Sequence, residues 1–398
     1  TAGAIPSEDD KDPHPMKRKL PSKLTILGQP SWQLSSDKVS AAVTEQGGHL
    51  APVKFHLAGR VVEPFSVAPW AREKLQPGTP AMLKSLRGDF FCAPFGGNET
   101  SWRGEKHPPH GDPANARWTM RSCEGGQAWS AWHWTMETTS RPGRIHKLIR
   151  LRAGETNLYC RHVLSEMEGP MSFGHHAMLK FPEAPGSGIV STSRILFAQV
   201  APEPVESPAG GGYQSLKPGS RFTRLRRVAT PDGQFVDLEK YPARRGFEDL
   251  VMLVHESEPD FAWSAVAFPK ERYVWFSLKD PRILRSTILW ISNAGRHYPP
   301  WSGRHARVMG IEDVTSYFHY GLAESANPNP VSRMGYATCM KLKKAAPLTV
   351  NYIMGVAAIP AKFGRVRSIT RAPGGIVLAS DNGCRVMAEV ETDFLKNP

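Results

Sequence analysis

Four short segments set side chains able to do acid–base or ligand-binding chemistry beside glycine and proline. The first is residues 86–98 (LRGDFFCAPFGGN), where Arg87-Gly88 opens an apolar run and Pro94-Phe95-Gly96-Gly97 closes it. A glycine-lined turn lets a ligand approach the backbone closely. An arginine beside it can hold an anionic or hydroxyl-rich ligand through several donors. The alternative is an ordinary strand and turn with a surface arginine. The second is residues 107–118 (HPPHGDPANARW), where two prolines precede His110 and Gly111 follows it. A histidine fixed on so stiff a loop could serve a site, or it could be a solvated loop residue. His107 and His110 lack the helical setting that would make their spacing a metal pair, and no metal is expected.

The third segment is residues 171–182 (MSFGHHAMLKFP). In a strand His175 and His176 point to opposite faces, so at most one can face a given cleft. A satisfied structural histidine on each side is the competing reading. The fourth is residues 307–318 (RVMGIEDVTSYF), where Glu312 follows an apolar run. A carboxyl at the end of a buried strand has its pKa raised by desolvation and can act as a base near neutral pH. In water it would be a plain strand-end charge.

The elements that must position these groups read as strands. Val53, Phe55 and Leu57 alternate with polar residues, as do Trp132, Trp134 and Met136. Further strands are expected at 158–164, 171–179, 261–268, 273–278, 283–291 and 336–340, bounded by Gly, Pro, Asn or Asp. A short helix is expected near residues 70–75. The chain has 398 residues with 35 Gly and 35 Pro, a content that disfavours a helix-rich fold. Residues 1–30 are read as a flexible N-terminal tail and 31–398 as a single all-β domain. Residues 201–212 (APEPVESPAGGG) are read as a long surface loop inside it.

The net charge of +13 suits anionic partners. The arginine clusters at 221–227 and 365–371 lack interleaved aromatics or a nucleic-acid motif, so they read as a solvated basic face and no nucleic-acid partner is expected. The five cysteines form no CxxC pair and read as buried thiols of a reducing, cytoplasmic compartment. No stretch of 18 apolar residues exists to suggest a membrane span.

The order of the four segments carries more than any one of them. Arg-Gly followed by Cys-x-Pro-x-Phe-Gly, then His-Gly, then a strand histidine, then a late Gly-Ile-Glu, resembles the galactose mutarotase-like superfamily over residues 35–325. The run Arg87–Gly96 with His110-Gly111 looks most like its hexose-6-phosphate epimerase branch. The resemblance implies a large antiparallel β-supersandwich with a concave sugar-binding face. It implies that His176 is the acid at the ring oxygen, with His175 as the reserve, and that Glu312 is the base at the anomeric hydroxyl. His110 would orient the sugar, Arg87 would contact a hydroxyl or phosphate, and Asp249 in Phe247-Glu248-Asp249-Leu250 would bind substrate. Asp112-Pro113-Ala114-Asn115 departs from the branch, which carries an aromatic or Ala-Arg pair there. Trp301, with Arg296, His297 and Arg304 nearby, has no counterpart in the pattern.

The chemistry so implied is exchange of α and β anomers of a monosaccharide or sugar phosphate by ring opening and closure, with no cofactor. A His176 pKa near neutrality, helped by a carboxylate, is expected. Trp132, Trp134 and Trp301 are candidates to stack on a pyranose. Two other functions fit parts of the sequence. One is a non-catalytic carbohydrate-binding protein on the same fold. The other is a lyase or hydrolase of acidic polysaccharide, which needs an open groove and a Tyr/His or two-carboxylate arrangement. Oligomeric state leaves no mark in the sequence.

Overall fold

The structure, a computed structural model, describes residues 16–397. Its architecture is a stack of antiparallel sheets. A ten-stranded sheet runs from the edge strand Met16–Lys17 through Trp129–Thr138, Gly143–Arg152, Asn157–Ser165, Leu348–Ala358 and Tyr273–Lys279 to Lys240–Tyr241. Against it packs an eight-stranded sheet centred on Phe247–His255, Ser286–Asn293 and Val308–Thr315, with Phe173–His175, Ala177–Lys180 and Phe91–Cys92 beyond. A five-stranded sheet formed by Leu24–Ile26 through Arg60–Val62 closes one flank. The last three strands, Val366–Ala372, Gly375–Ser380 and Arg385–Glu389, form a meander. Its Ile369, Ile376 and Leu378 join Trp263, Val274 and Ile353 on the outer face of the ten-stranded sheet.

Side-chain alternation gives the eight-stranded sheet two buried faces. Val251, Leu253, Leu289, Ile291, Met309 and Ile311 point inward and share a core with Trp275, Tyr352 and Met354 of the ten-stranded sheet. Leu250, Met252, Ile288, Trp290 and Val314 point outward. There they are covered by Trp70, Met82, Phe90, Phe95 and Trp301 from the connecting segments. A cavity lies under this outer cover.

The all-β expectation holds; the four α-helices are single turns of four or five residues. Two local expectations need correction. The helix expected near residues 70–75 is a pair of turns closed by Ala71 N–H to Ala68 O and Glu73 N–H to Trp70 O. Pro69 and Pro77 bracket too short a stretch to nucleate a helix, which forms instead at Ala81–Ser85. The strand expected at 336–340 is reduced to Met340–Leu342, because Thr338 is held in a loop by its hydroxyl bond to Ser325 O and by Asn329 Nδ2. The tail expected over residues 1–30 lies partly outside the described residues. Within the described part Met16–Lys17 pairs with Glu124 and Gly125, and Leu24–Ile26 pairs with Gln29, Pro30 and Ser31. Residues 201–212 form a loop with one 3-10 turn, Pro208–Gly210. All five cysteines are free. Among the described residues no helix is long and apolar enough to cross a membrane.

Candidate active site

Glu312 sits in the Val308–Thr315 strand, paired with Ile288 of the neighbouring strand. Its carboxylate needs space on a crowded face, and Gly310, two residues earlier on the same side, supplies it. A Cβ on Gly310 would lie 2.6 Å from Glu312 Oε1. His176 occupies the break between the strands Phe173–His175 and Ala177–Lys180, where its N–H donates to Phe90 O at 2.9 Å. Its ring stacks on Phe90, with centroids 4.5 Å apart and planes within 17°. Held this way, His176 Nε2 lies 3.1 Å from Glu312 Oε1, and both side chains are nearly sealed from solvent.

His110 arrives on the rigid loop. It has a left-handed backbone (φ 59°), and Gly111 follows at φ 74°. Only glycine fits at 111, since a Cβ there would lie 2.0 Å from the Ala93 carbonyl oxygen. This docking sets the His110 ring edge-on to His176, with centroids 5.0 Å apart, and Nδ1 3.4 Å from Cys92 Sγ. His319, Arg296, Trp290 and Trp301, with Met82, Leu86 and Leu250, complete a cavity of about 80 Å³ around His110, His176 and Glu312.

Burial governs the charges. It pushes His176 down to about 3 and His319 to about 4, and it holds His110 well below its ordinary value. It drives the Glu312 carboxyl well up, with Arg296 opposing. The expectation of a His176 near neutrality is thus corrected: desolvation outweighs the nearby carboxylate, and the pair is held toward its neutral forms. Glu248 is raised to about 7 by burial, offset by Arg296 and by bonds from Ser292 Oγ, Gly295 N–H and Trp290 Nε1. Burial also works against the charge of Arg296, but Glu248 and Glu206 outweigh it and raise the guanidinium above its ordinary value.

Of the residues singled out from the sequence, His176, Glu312, His110 and Trp301 meet at this cavity. Three others do not reach it. Arg87 is fully buried and donates to the carbonyls of Ser85, Ile26 and Leu27 at 3.2, 3.0 and 2.9 Å. It staples the N-terminal hairpin instead of facing a ligand. His175 points to the inner face, where Nδ1 meets Asp89 Oδ2 at 2.8 Å and the ring stacks on Tyr352. Asp249 also faces inward and accepts from Ser215 N–H, Ser215 Oγ and Leu216 N–H. Its neighbour Glu248 is the member of that pair on the cavity side. Trp132 and Trp134 belong to the core between the sheets. The reading from sequence did not assign Arg296 or His319 to the site. Both lie in segments that follow the central strands, Arg296 in a single bridge to Gly212 and His319 in a turn, with only the nearby Trp290 and Trp301 as a signal for Arg296.

Among solved structures, the chain matches a galactose mutarotase-like protein from Clostridium acetobutylicum with a TM-score of 0.58 and 12% identity, covering 85% of this chain and 98% of that one. It also matches a galactose mutarotase related enzyme from Lactobacillus acidophilus with a TM-score of 0.54 and 11% identity, covering 83% and 98%. No protein-family model and no curated protein matches the sequence. The fold is therefore the galactose mutarotase-like β-supersandwich. Likeness at this level of identity carries the fold and leaves the activity to be argued from the site.

Proposed function

We propose that this chain is an aldose 1-epimerase-like isomerase that interconverts the α and β anomers of an aldose or aldose phosphate. The observation that carries the reading is the buried contact of His176 Nε2 with Glu312 Oε1 at 3.1 Å, in a cavity walled by Trp290 and Trp301. Anomer exchange needs one acid and one base working on the same carbon. In the reactive state Glu312 is a carboxylate and His176 an imidazolium. Glu312 takes the O1 proton while His176 gives one to the ring oxygen, and the ring opens to the free aldehyde. Rotation about C1–C2 presents the other carbonyl face. Closure then returns the ring-oxygen proton to His176 and the Glu312 proton to O1.

The electrostatics suit this cycle. After ring opening Glu312 holds a proton and His176 is neutral, which is the form that burial favours for both groups. The site thus stabilises the open-chain stage. Moving one proton from Glu312 to His176 generates the reactive pair without exchange with water. Arg296 assists by favouring the Glu312 carboxylate. Each positioned acid–base group is worth about 10²–10⁴-fold. A small cavity suits a monosaccharide better than a polymer, which sets this reading above a polysaccharide lyase or hydrolase.

The test is anomer exchange followed by NMR on a panel of aldoses and their 6-phosphates. Exchange above the spontaneous rate in the wild type is expected to fall about 100-fold or more in Glu312→Gln and in His176→Asn. A folded wild type that accelerates none of these sugars refutes the proposal. Sugar binding without exchange would identify a carbohydrate-binding protein.

A further inference from the structure

Arg296 is the only arginine or lysine among the described residues lining the cavity. Its guanidinium lies over Trp301, with Cζ 4.5 Å from the ring centroid, and 5.3 Å from that of Trp290. Aromatic faces on this side fix the plane of the fork. Nε donates to Glu206 Oε1 at 2.5 Å, and Glu248 stands 4.0 Å from the same nitrogen. The two terminal nitrogens make no hydrogen bond among the described residues. Arg296 therefore presents unused donors at this cavity.

The carboxylate that meets Arg296 comes from the loop at 201–212, not from the sheet. Tyr298 OH donates to both Glu206 oxygens at 3.2 Å. Gly212 leaves the space they need, since a Cβ there would lie 2.1 Å from Glu206 Oε2. The loop is shaped to seat one carboxylate on Arg296. With it seated the cavity of about 80 Å³ is well below the roughly 300 Å³ at which ligand pockets usually begin.

We infer that Arg296 recognises an anionic substituent of the sugar, a carboxylate or a phosphate, and that Glu206 is an internal stand-in which the substrate displaces. The inference rests on reading this cavity as an aldose site. Planar bidentate pairing is what a guanidinium offers to a carboxylate or phosphate and a hydroxyl cannot match. Charge balance agrees. Burial holds Glu312 and Glu248 toward their protonated forms, so once Glu206 leaves, an incoming anion meets a net positive wall. The substrate class is then a uronic acid or an aldose phosphate, not a neutral hexose.

The experiment titrates glucose, glucuronate and glucose 6-phosphate into the full chain. Tryptophan fluorescence reports on Trp290 and Trp301, and anomer exchange is read by NMR in the same samples. At least one anionic sugar is expected to bind about tenfold or more tightly than glucose. Glu206→Gln and Glu206→Ala should each tighten that binding severalfold, and Arg296→Gln should remove the preference. Whichever anionic sugar binds more tightly distinguishes carboxylate from phosphate. Equal binding of all three sugars, no binding of any, or unchanged affinity in both folded Glu206 variants overturns the inference. The expected binding pattern without anomer exchange keeps the inference and refutes the catalytic reading. Exchange of neutral sugars alone does the reverse.

Discussion

Replacing Gly310 with alanine separates catalysis from folding at this site. The added methyl would sit 2.6 Å from Glu312 Oε1 and 3.2 Å from Trp290 Cβ. The first distance is about 0.8 Å short of ordinary contact, so the carboxylate must swing away by roughly that much. The displaced atom is the end of a flexible side chain, and the tryptophan need give only a few tenths of an ångström. The strand also gains from losing a glycine, by roughly 0.5–1 kcal/mol. Net stability should therefore change by less than about 1 kcal/mol. Catalysis has no such tolerance, because a misplacement of about 1 Å can cost 100-fold. The expected outcome is anomer exchange reduced about 10- to 100-fold, with a thermal midpoint within a few degrees of the wild type. NMR exchange rates and circular dichroism melts on the same preparation provide the check. Wild-type exchange in the folded variant would mean that the position of the Glu312 carboxylate does not matter, and the mechanism built on it would fall.

Other outcomes follow from the same geometry. Arg87→Lys removes most of the fork that meets three carbonyls and should cost about 1–3 kcal/mol in urea denaturation, with KM unchanged, since Arg87 does not line the cavity; a raised KM at full stability would restore its role as a ligand contact. Lys279→Met leaves Asp313 buried without its cation and should destabilise the fold by about 3–5 kcal/mol, measured by thermal or chemical denaturation; a loss below about 1 kcal/mol would refute the pairing. Burial lowers His49, His176, His255 and His305 to about 3 and His319 to about 4, so each stays neutral when folded and takes up a proton on unfolding below about pH 6.5. Glu248 and Glu312, shifted upward, oppose this by binding protons in the native state. These five histidines less the two carboxyls take up about three net protons near pH 5, a stability loss of about 4 kcal/mol per pH unit as pH falls, and His110 and His162, held down by burial in the same way, add to it. The urea midpoint should drop sharply between pH 6.5 and 5, and an unchanged midpoint would refute the burial argument.

The sequence made the architecture and half of the site legible for specific reasons. Gly111 and Gly310 are required by close approaches, so the His-Gly and Gly-Ile-Glu patterns report real geometry. Alternation separated His175 from His176 correctly in kind, one to each face. The resemblance pointed to Asp249 and not Glu248, and alternation could not arbitrate, because Phe247–His255 is buried on both faces and carries no sign of which face is which. Arg87 was misread because its partners, the carbonyls of Ile26 and Leu27, lie in a stretch that looked like a tail. Arg296 and His319 belong to segments that converge only in three dimensions, and no local spacing encodes that.

Three adjacent polar pairs, His175-His176, Glu248-Asp249 and Glu312-Asp313, are each divided between the two faces of one sheet. The two inward carboxylates are well paired, while His175 uses one ring nitrogen and leaves Nε2 without a partner. His175 holds Asp89, Asp249 accepts from Ser215 and Leu216, and Asp313 is met by Lys279, Thr287, Ser277 and Tyr352. The outward His176 and Glu312 have fewer bonds. His176 Nδ1 is buried without a partner, and the Glu312 carboxylate lies against His176 Nε2. Burial without compensating bonds is costly, and here it holds both groups toward their neutral forms. The inward bonds also fix the register. A slip of one residue in Val308–Thr315 would turn Asp313 into the cavity and press Glu312 against Lys279. The Lys279–Asp313 pair, at 2.5 Å and sealed from solvent, therefore holds the Glu312 carboxyl in place from the far side of the sheet.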